Sequence, residues 1–235
     1  MKRLLDAALS HDAECFSATR AEHAGNGTPG TTPRYEPIAP VVVTALITGL
    51  RFSHLLGLKW CDVDLTGHGE IVPEAGSYTK RTGVVDLVIS PELKRMLSAL
   101  KKAKDPDGER VFLTTPGEAK AALRRLLREY GAPKQSTWQA FRRSCGCYLT
   151  NAPGIFGAAS AYRSAKQLGH SVQVAERHYV DIVRGIPPEA RTLEAAMQIE
   201  AEVARVIEAV EARTRKTKSL ARAGHASRTA QARLA

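Results

Sequence analysis

The sequence predicts an α+β domain that is mainly helical and carries one small antiparallel sheet. Three observations predict it. Apolar residues recur at helical spacing in most segments between Lys2 and Ala212. Between Gly69 and Ser90 the period changes to that of strands, where EIVP and VVDLVIS flank EAGSYTKRTG, a turn-rich stretch that reads as a hairpin with Lys80 near its tip. The 235 residues are 43% hydrophobic, enough for one buried core and too apolar for a disordered chain.

The elements follow in order. An amphipathic stretch from Lys2 to about Phe16 leads into AGNGTPGTTPRYEP, whose Gly, Thr and Pro content predicts an irregular loop over about residues 22–37. Ile38 to Ile47 is dense enough in apolar residues for a buried helix that ends at Gly49, and RFSHLLGL restarts the helical pattern at Arg51. After the hairpin come a helix from Pro91 to about Lys102, a short strand RVFL, and a helix from Gly117 to Tyr130. On that helix Lys120, Arg124 and Arg128 stand four residues apart, which puts them on one face. A helix over Thr137 to Thr150, the loop NAPGIFG, a helix from about Ser160 to Leu168 and a turn at Gly169 complete this part. Pro187 and Pro188 precede a long helix from about Glu189 to Ala212, with Ala196, Ile199, Val203, Val206 and Val210 forming a narrow apolar seam. That seam packs either on its own domain or on a neighbouring protomer.

The net charge is +10, and residues 213–235 contribute seven basic and no acidic side chains to it. The body is only mildly basic, so the position of the charges matters more than their sum. The tail, with Arg215, Lys216 and Lys218, reads as a disordered arm suited to tracking phosphates, or as a merely solvated extension. Four cysteines, Cys15, Cys61, Cys145 and Cys147, have no zinc-site spacing and read as reduced, mostly buried thiols of a cytoplasmic protein. No secretory signal or membrane-spanning run is seen in the sequence.

Five scattered residues carry the chemistry: Arg51, Lys80, Arg142, His170 and Tyr179. Two guanidiniums can hold the negative charge of a phosphoryl group, while a phenol with a free pKa of about 10 needs such help to act as a nucleophile. Such a set would let a tyrosine attack a phosphodiester. Each residue alone also has an ordinary surface or packing reading; the argument lies in their combination.

TALITGLRFSHLLGLKWCDVDL, STWQAFRRSCGCYL and KQLGHSVQVAERHYVDI, in this order, resemble the catalytic domain of tyrosine recombinases, the phage-integrase family. The resemblance spans roughly Val41 to Asp181. It assigns the first arginine to Arg51, the hairpin lysine to Lys80, the second arginine to Arg142, the L-G-H histidine to His170 and the nucleophile to Tyr179. It implies a tyrosine-recombinase-like catalytic domain over residues 1–186, then a C-terminal element over 187–212 that docks in trans in the family, and the basic tail over 213–235. It further implies site-specific cleavage and rejoining of double-stranded DNA through a 3'-phosphotyrosine. No metal or ATP is expected, and the working unit would be a homotetramer on DNA. Lys120, Arg124, Arg128, Arg143, Arg215, Lys216 and Lys218 are then the candidate DNA contacts.

Two positions depart from the family pattern. Gln139 stands where a histidine usually precedes the second arginine by three, and an amide cannot exchange a proton near neutral pH. His54 stands where R-x-S-E would have an acid. The resemblance also implies an N-terminal helical domain that closes on the far face of DNA, whereas this chain starts almost at the catalytic domain. The alternative expectation is therefore a catalytically impaired DNA-binding remnant or regulator of a mobile element. A relaxing enzyme resembling type IB topoisomerases is the third.

Overall fold

The structure is a computed structural model that describes residues 1–25, 36–72, 87–103, 109–156, 162, 165, 168, 169, 171–173, 183 and 185–215, with the side chains of 16–25, 87, 88, 103, 153 and 156 excepted. Its described part is mainly helical with a small antiparallel sheet, as the periodicity predicts.

The organising element is helix α2 (Ile38–Thr48), all eleven of whose residues are buried. A helix apolar on every side belongs in a core. Its two threonines satisfy themselves, Thr44 donating to the Pro40 carbonyl at 2.8 Å and Thr48 to the Thr44 carbonyl at 2.6 Å. Around it pack α1 (Lys2–Gly25), α3 (Phe52–Gly57), α4 (Pro91–Ala103) and α6 (Trp138–Asn151). Pro37 offers no side-chain cap to α2. The cap comes instead from Asp12 of α1, buried at 1% exposure, whose carboxylate accepts from Ile38 N and Ala39 N, each at 2.9 Å.

Helix α5 (Pro116–Arg128) starts on a reciprocal cap between Thr115 and Glu118, with proline in its first turn. It buries Ala119, Leu123 and Leu126 and leaves Lys120, Arg124 and Arg128 exposed on the other side. Arg125 turns away from that face and binds Glu129 at 3.0 Å and the Tyr130 hydroxyl at 3.3 Å.

The sheet has three strands in the order β1 (Val63–Asp64), β2 (Glu70–Ile71), β3 (Leu87–Val88). Val63 pairs with Ile71, and Ile71 with Leu87. The predicted two-strand hairpin thus gains a strand from the D-V-D-L stretch. Asp62 accepts from Lys59 N at 3.0 Å, and Asp64 accepts from both the backbone N and the hydroxyl of Thr66 at 2.7 Å, which turns the chain back toward β2. Lys80, on the predicted hairpin tip, lies outside the described residues.

Four expectations are corrected. Helix α1 continues to Gly25, into the stretch read as a loop from about residue 22, because Thr19 to Ala24 has no helix breaker to stop it. RVFL makes a single bridge, Arg110 to Lys59, and is otherwise irregular. NAPGIFG contains a short helix, α7 (Pro153–Phe156), that starts on a proline. The long C-terminal helix is broken into Leu193–Ala196 and residues 200–215, since Gln198 adopts φ 55° while its side-chain amide donates to the Gly185 carbonyl at 2.9 Å.

Ile199, Val203, Val206 and Val210 of the seam are buried in the single chain. The helix folds back on α4, where Arg95 forks onto Glu211 at 2.8 and 3.0 Å and Thr214 donates to the Ala99 carbonyl at 3.3 Å, and on α1, where Arg205 pairs with Asp6. Of the two arrangements left open by the seam, the single chain adopts this one. Residues 213–215, expected to belong to the disordered tail, are helical, with Arg215 exposed; Lys216 and Lys218 lie outside the described residues. Cys145 and Cys147 are buried, Cys15 is half-buried and Cys61 is exposed, and none of the four is in a disulfide. Among the described residues no helix is long and apolar enough to cross a membrane.

Candidate active site

Helix α2 stops at Gly49, which has φ 62° and whose N–H closes on the Ala45 carbonyl. Only glycine fits. A Cβ there would lie 2.5 Å from Leu168 Cδ2 and 2.9 Å from Cys145 Sγ, besides the cost of the left-handed backbone. The tight turn sends Leu50 into the core and Arg51 out to solvent. Arg51 has extended backbone (φ −62°, ψ 144°) and is the residue from which α3 starts, its carbonyl accepting from Leu55 N at 2.8 Å.

Helix α6 starts on Thr137, whose hydroxyl accepts from Ala140 N at 3.0 Å. Gln139 is exposed in its first turn, and Arg142 follows three residues later on the same side. Arg142 is half-buried. Its guanidinium donates to the Gly49 carbonyl at 2.6 Å through Nη1 and to the Leu168 carbonyl at 2.6 Å through Nη2. These two bonds stitch the T-G-L-R turn, the F-R-R-S helix and the L-G-H turn together. One turn further, Cys145 packs under Gly49 and its thiol donates to the Ile47 carbonyl at 3.5 Å; burial pushes the thiol up to about 12, so it is inert there.

His54 shares α3 with Arg51, one turn along, and is half-buried. Burial first, then the positive charges of Arg51 and Arg142, hold its imidazole below its ordinary value. The ring is neutral near pH 7. This places a base where the resemblance leads one to look for an acid, and it puts Arg51, His54 and Arg142 within one another's electrostatic reach.

An aromatic platform flanks the arginines. Phe52 and Trp138 have ring centroids 4.9 Å apart, Trp138 meets Phe141 edge-on at 5.4 Å, and Lys120 Nζ sits 5.9 Å from the centre of the Phe52 ring. One of the exposed cations of α5, Lys120, therefore lies by the residue that follows Arg51. The platform was not anticipated; its signal was an aromatic beside each of two candidate residues, Phe52 next to Arg51 and Trp138 next to Gln139.

The structure brings together Arg51, Gln139 and Arg142, with Arg143 exposed beside them. His170 and Tyr179 lie, like Lys80, outside the described residues, although nearby Leu168 is described and meets Arg142 and Gly49. Among the described residues no group of three His, Cys, Asp or Glu is arranged to hold a metal ion. No family model, no curated protein and no solved structure matches this chain.

Proposed function

We propose that this chain is a DNA strand transferase of the tyrosine-recombinase type, acting on double-stranded DNA as a homo-oligomer. The observation that carries the reading is the double bond of Arg142 to the Gly49 and Leu168 carbonyls, because it joins three motifs, far apart in sequence, at one solvent-facing locus. Arg51 and Arg142 would grip the non-bridging oxygens of a phosphodiester, where a preorganised donor is worth about 2.7–4 kcal/mol. The Tyr179 hydroxyl would give its proton to His170 as its oxygen attacks phosphorus, the 5'-oxygen would leave with a proton supplied by Lys80, and a 3'-phosphotyrosine would hold the bond energy until a second 5'-hydroxyl reverses the step. Lys120, Arg124 and Arg128, exposed along one face of α5, would follow the backbone phosphates beside this locus.

Incubation with nicked DNA suicide substrates from the flanking genomic sequence tests it. A denaturation-resistant protein–DNA adduct that disappears in Tyr179→Phe is the expected result, and an adduct that persists in that variant would sink the assignment. A second reading, a non-catalytic DNA-binding regulator, is favoured by the same two bonds seen as a purely structural clasp, together with the amide of Gln139. It predicts salt-sensitive DNA binding with no adduct.

A further inference from the structure

Arg51 is exposed and makes no side-chain cap to α3, so the start of that helix is what aims it. A helix of six residues is too short to hold its own direction and takes it from packing. Leu55 and Leu56 bury its second half in the core, which leaves its first residue, Phe52, to fix the end that carries Arg51. The half-buried Phe52 ring lies 4.9 Å from that of Trp138, centre to centre, with 31° between their planes. Trp138 is the first residue of α6, directly before Gln139, and Phe141, itself buried, backs it edge-on at 5.4 Å. The two rings therefore join the starts of the two helices at which Arg51 and Gln139 are exposed. We infer that Trp138 is a positioning residue for phosphate capture, a brace that acts through Phe52 to set where Arg51 stands against the start of α6.

This role rests on the phosphodiester-binding reading of the locus and deepens it. Trp138 fills it with its ring and not with its N–H. The indole Nε1 is buried and has no hydrogen-bond partner among the described residues, a state that costs stability and that a plain phenyl ring would avoid. What the ring provides is broad contact of preferred geometry, which a branched aliphatic side chain does not reproduce. Lys120 Nζ, 5.9 Å from the centre of the Phe52 ring, ties the exposed face of α5 to the same junction. A donor stabilises a developing oxyanion only if it is held in place before the charge appears. Misplacing a positioned group by about 1 Å can cost about 10²-fold in rate, so a contact remote from phosphorus can carry much of the effect of Arg51.

The test is a double-mutant cycle in the full chain, read as the rate of adduct formation on nicked DNA, as affinity for sulfate, and as the unfolding midpoint. Trp138→Leu, which removes the ring, is expected to slow the adduct by about 10²-fold and to weaken sulfate binding. Trp138→Phe keeps an aromatic contact and drops the orphaned donor, so it should restore both to near the parent. In an Arg51→Ala background Trp138→Leu should cost nothing further, because the ring acts through that arginine; a merely structural role would multiply the two losses. Phe52→Leu opens the brace from its other side and replaces Trp138→Leu if that variant unfolds. Parent rates and sulfate affinity in the folded Leu variants, a Trp138→Phe chain as impaired as Trp138→Leu, or losses that multiply with Arg51→Ala would each overturn the inference. Its fate is separable from that of strand transfer. An adduct whose rate ignores the brace removes the brace and keeps the recombinase reading. With no adduct from the parent, the same cycle read by sulfate affinity decides the brace alone, and a parent that binds no sulfate either removes both.

Discussion

The two ends of α2 are both held by a charged side chain from a distant element, yet they differ in what they leave open. At the N-terminus the Asp12 carboxylate accepts two backbone N–H groups and is itself buried. At the C-terminus the Arg142 guanidinium donates to two carbonyls, but it is only half-buried and stands beside exposed Arg51 and half-buried His54. Both charges have the sign that the helix dipole favours at their end. The difference teaches that a clasp enclosed by the core contributes only stability, whereas one that gathers three motifs at the surface stands beside a solvent-exposed charge, that of Arg51.

The comparison is broken hardest at the closed end. Asp12→Ala orphans two buried N–H groups at about 1–3 kcal/mol each and should cost about 2–5 kcal/mol in denaturant unfolding. In whatever fraction stays folded, anion binding at the other end should be unchanged. Gly49→Ala adds a left-handed residue and a clash with Leu168 and Cys145, for about 2–4 kcal/mol. Unlike the first variant, it should also weaken sulfate binding, because it moves the two carbonyls that orient Arg142.

A smaller effect sharpens the account of how the C-terminal segment is held. Glu194 is fully buried, accepts from the Ser90 hydroxyl, and burial raises its carboxyl above the ordinary range. A carboxyl raised on folding keeps its proton in the native state, so its contribution is complete below the ordinary carboxylate range and is lost as pH rises through the raised native value. Stability should therefore decline over that window. Glu194→Gln should be more stable than the parent at neutral pH and should flatten the decline, as read from unfolding midpoints across pH.

Much of this was legible in the sequence where one residue type is physically required. Gly49 marks the end of α2 because the left-handed turn admits nothing else, and Lys120, Arg124 and Arg128 share a face because their spacing is that of a helix. What was not legible depends on partners far along the chain. No breaker precedes Gln198; its turn is chosen by a bond to Gly185. The carbonyl bonds of Arg142 span 93 and 26 residues and leave no local trace. His54 could be flagged as out of pattern, but only its burial beside two guanidiniums gives that departure a chemical sense.

The most direct measurement is the rate of covalent adduct formation by Arg51→Ala on a nicked DNA substrate, read beside its unfolding midpoint. Arg51 is exposed and makes no side-chain cap to α3, so its removal should leave stability within about 0.5 kcal/mol of the parent. The account predicts that adduct formation nonetheless slows by about 10²- to 10³-fold, the effect of losing one preorganised donor to a developing oxyanion. An adduct that forms at the parent rate in this variant would contradict the claim that the open end of α2 is where the phosphate is held.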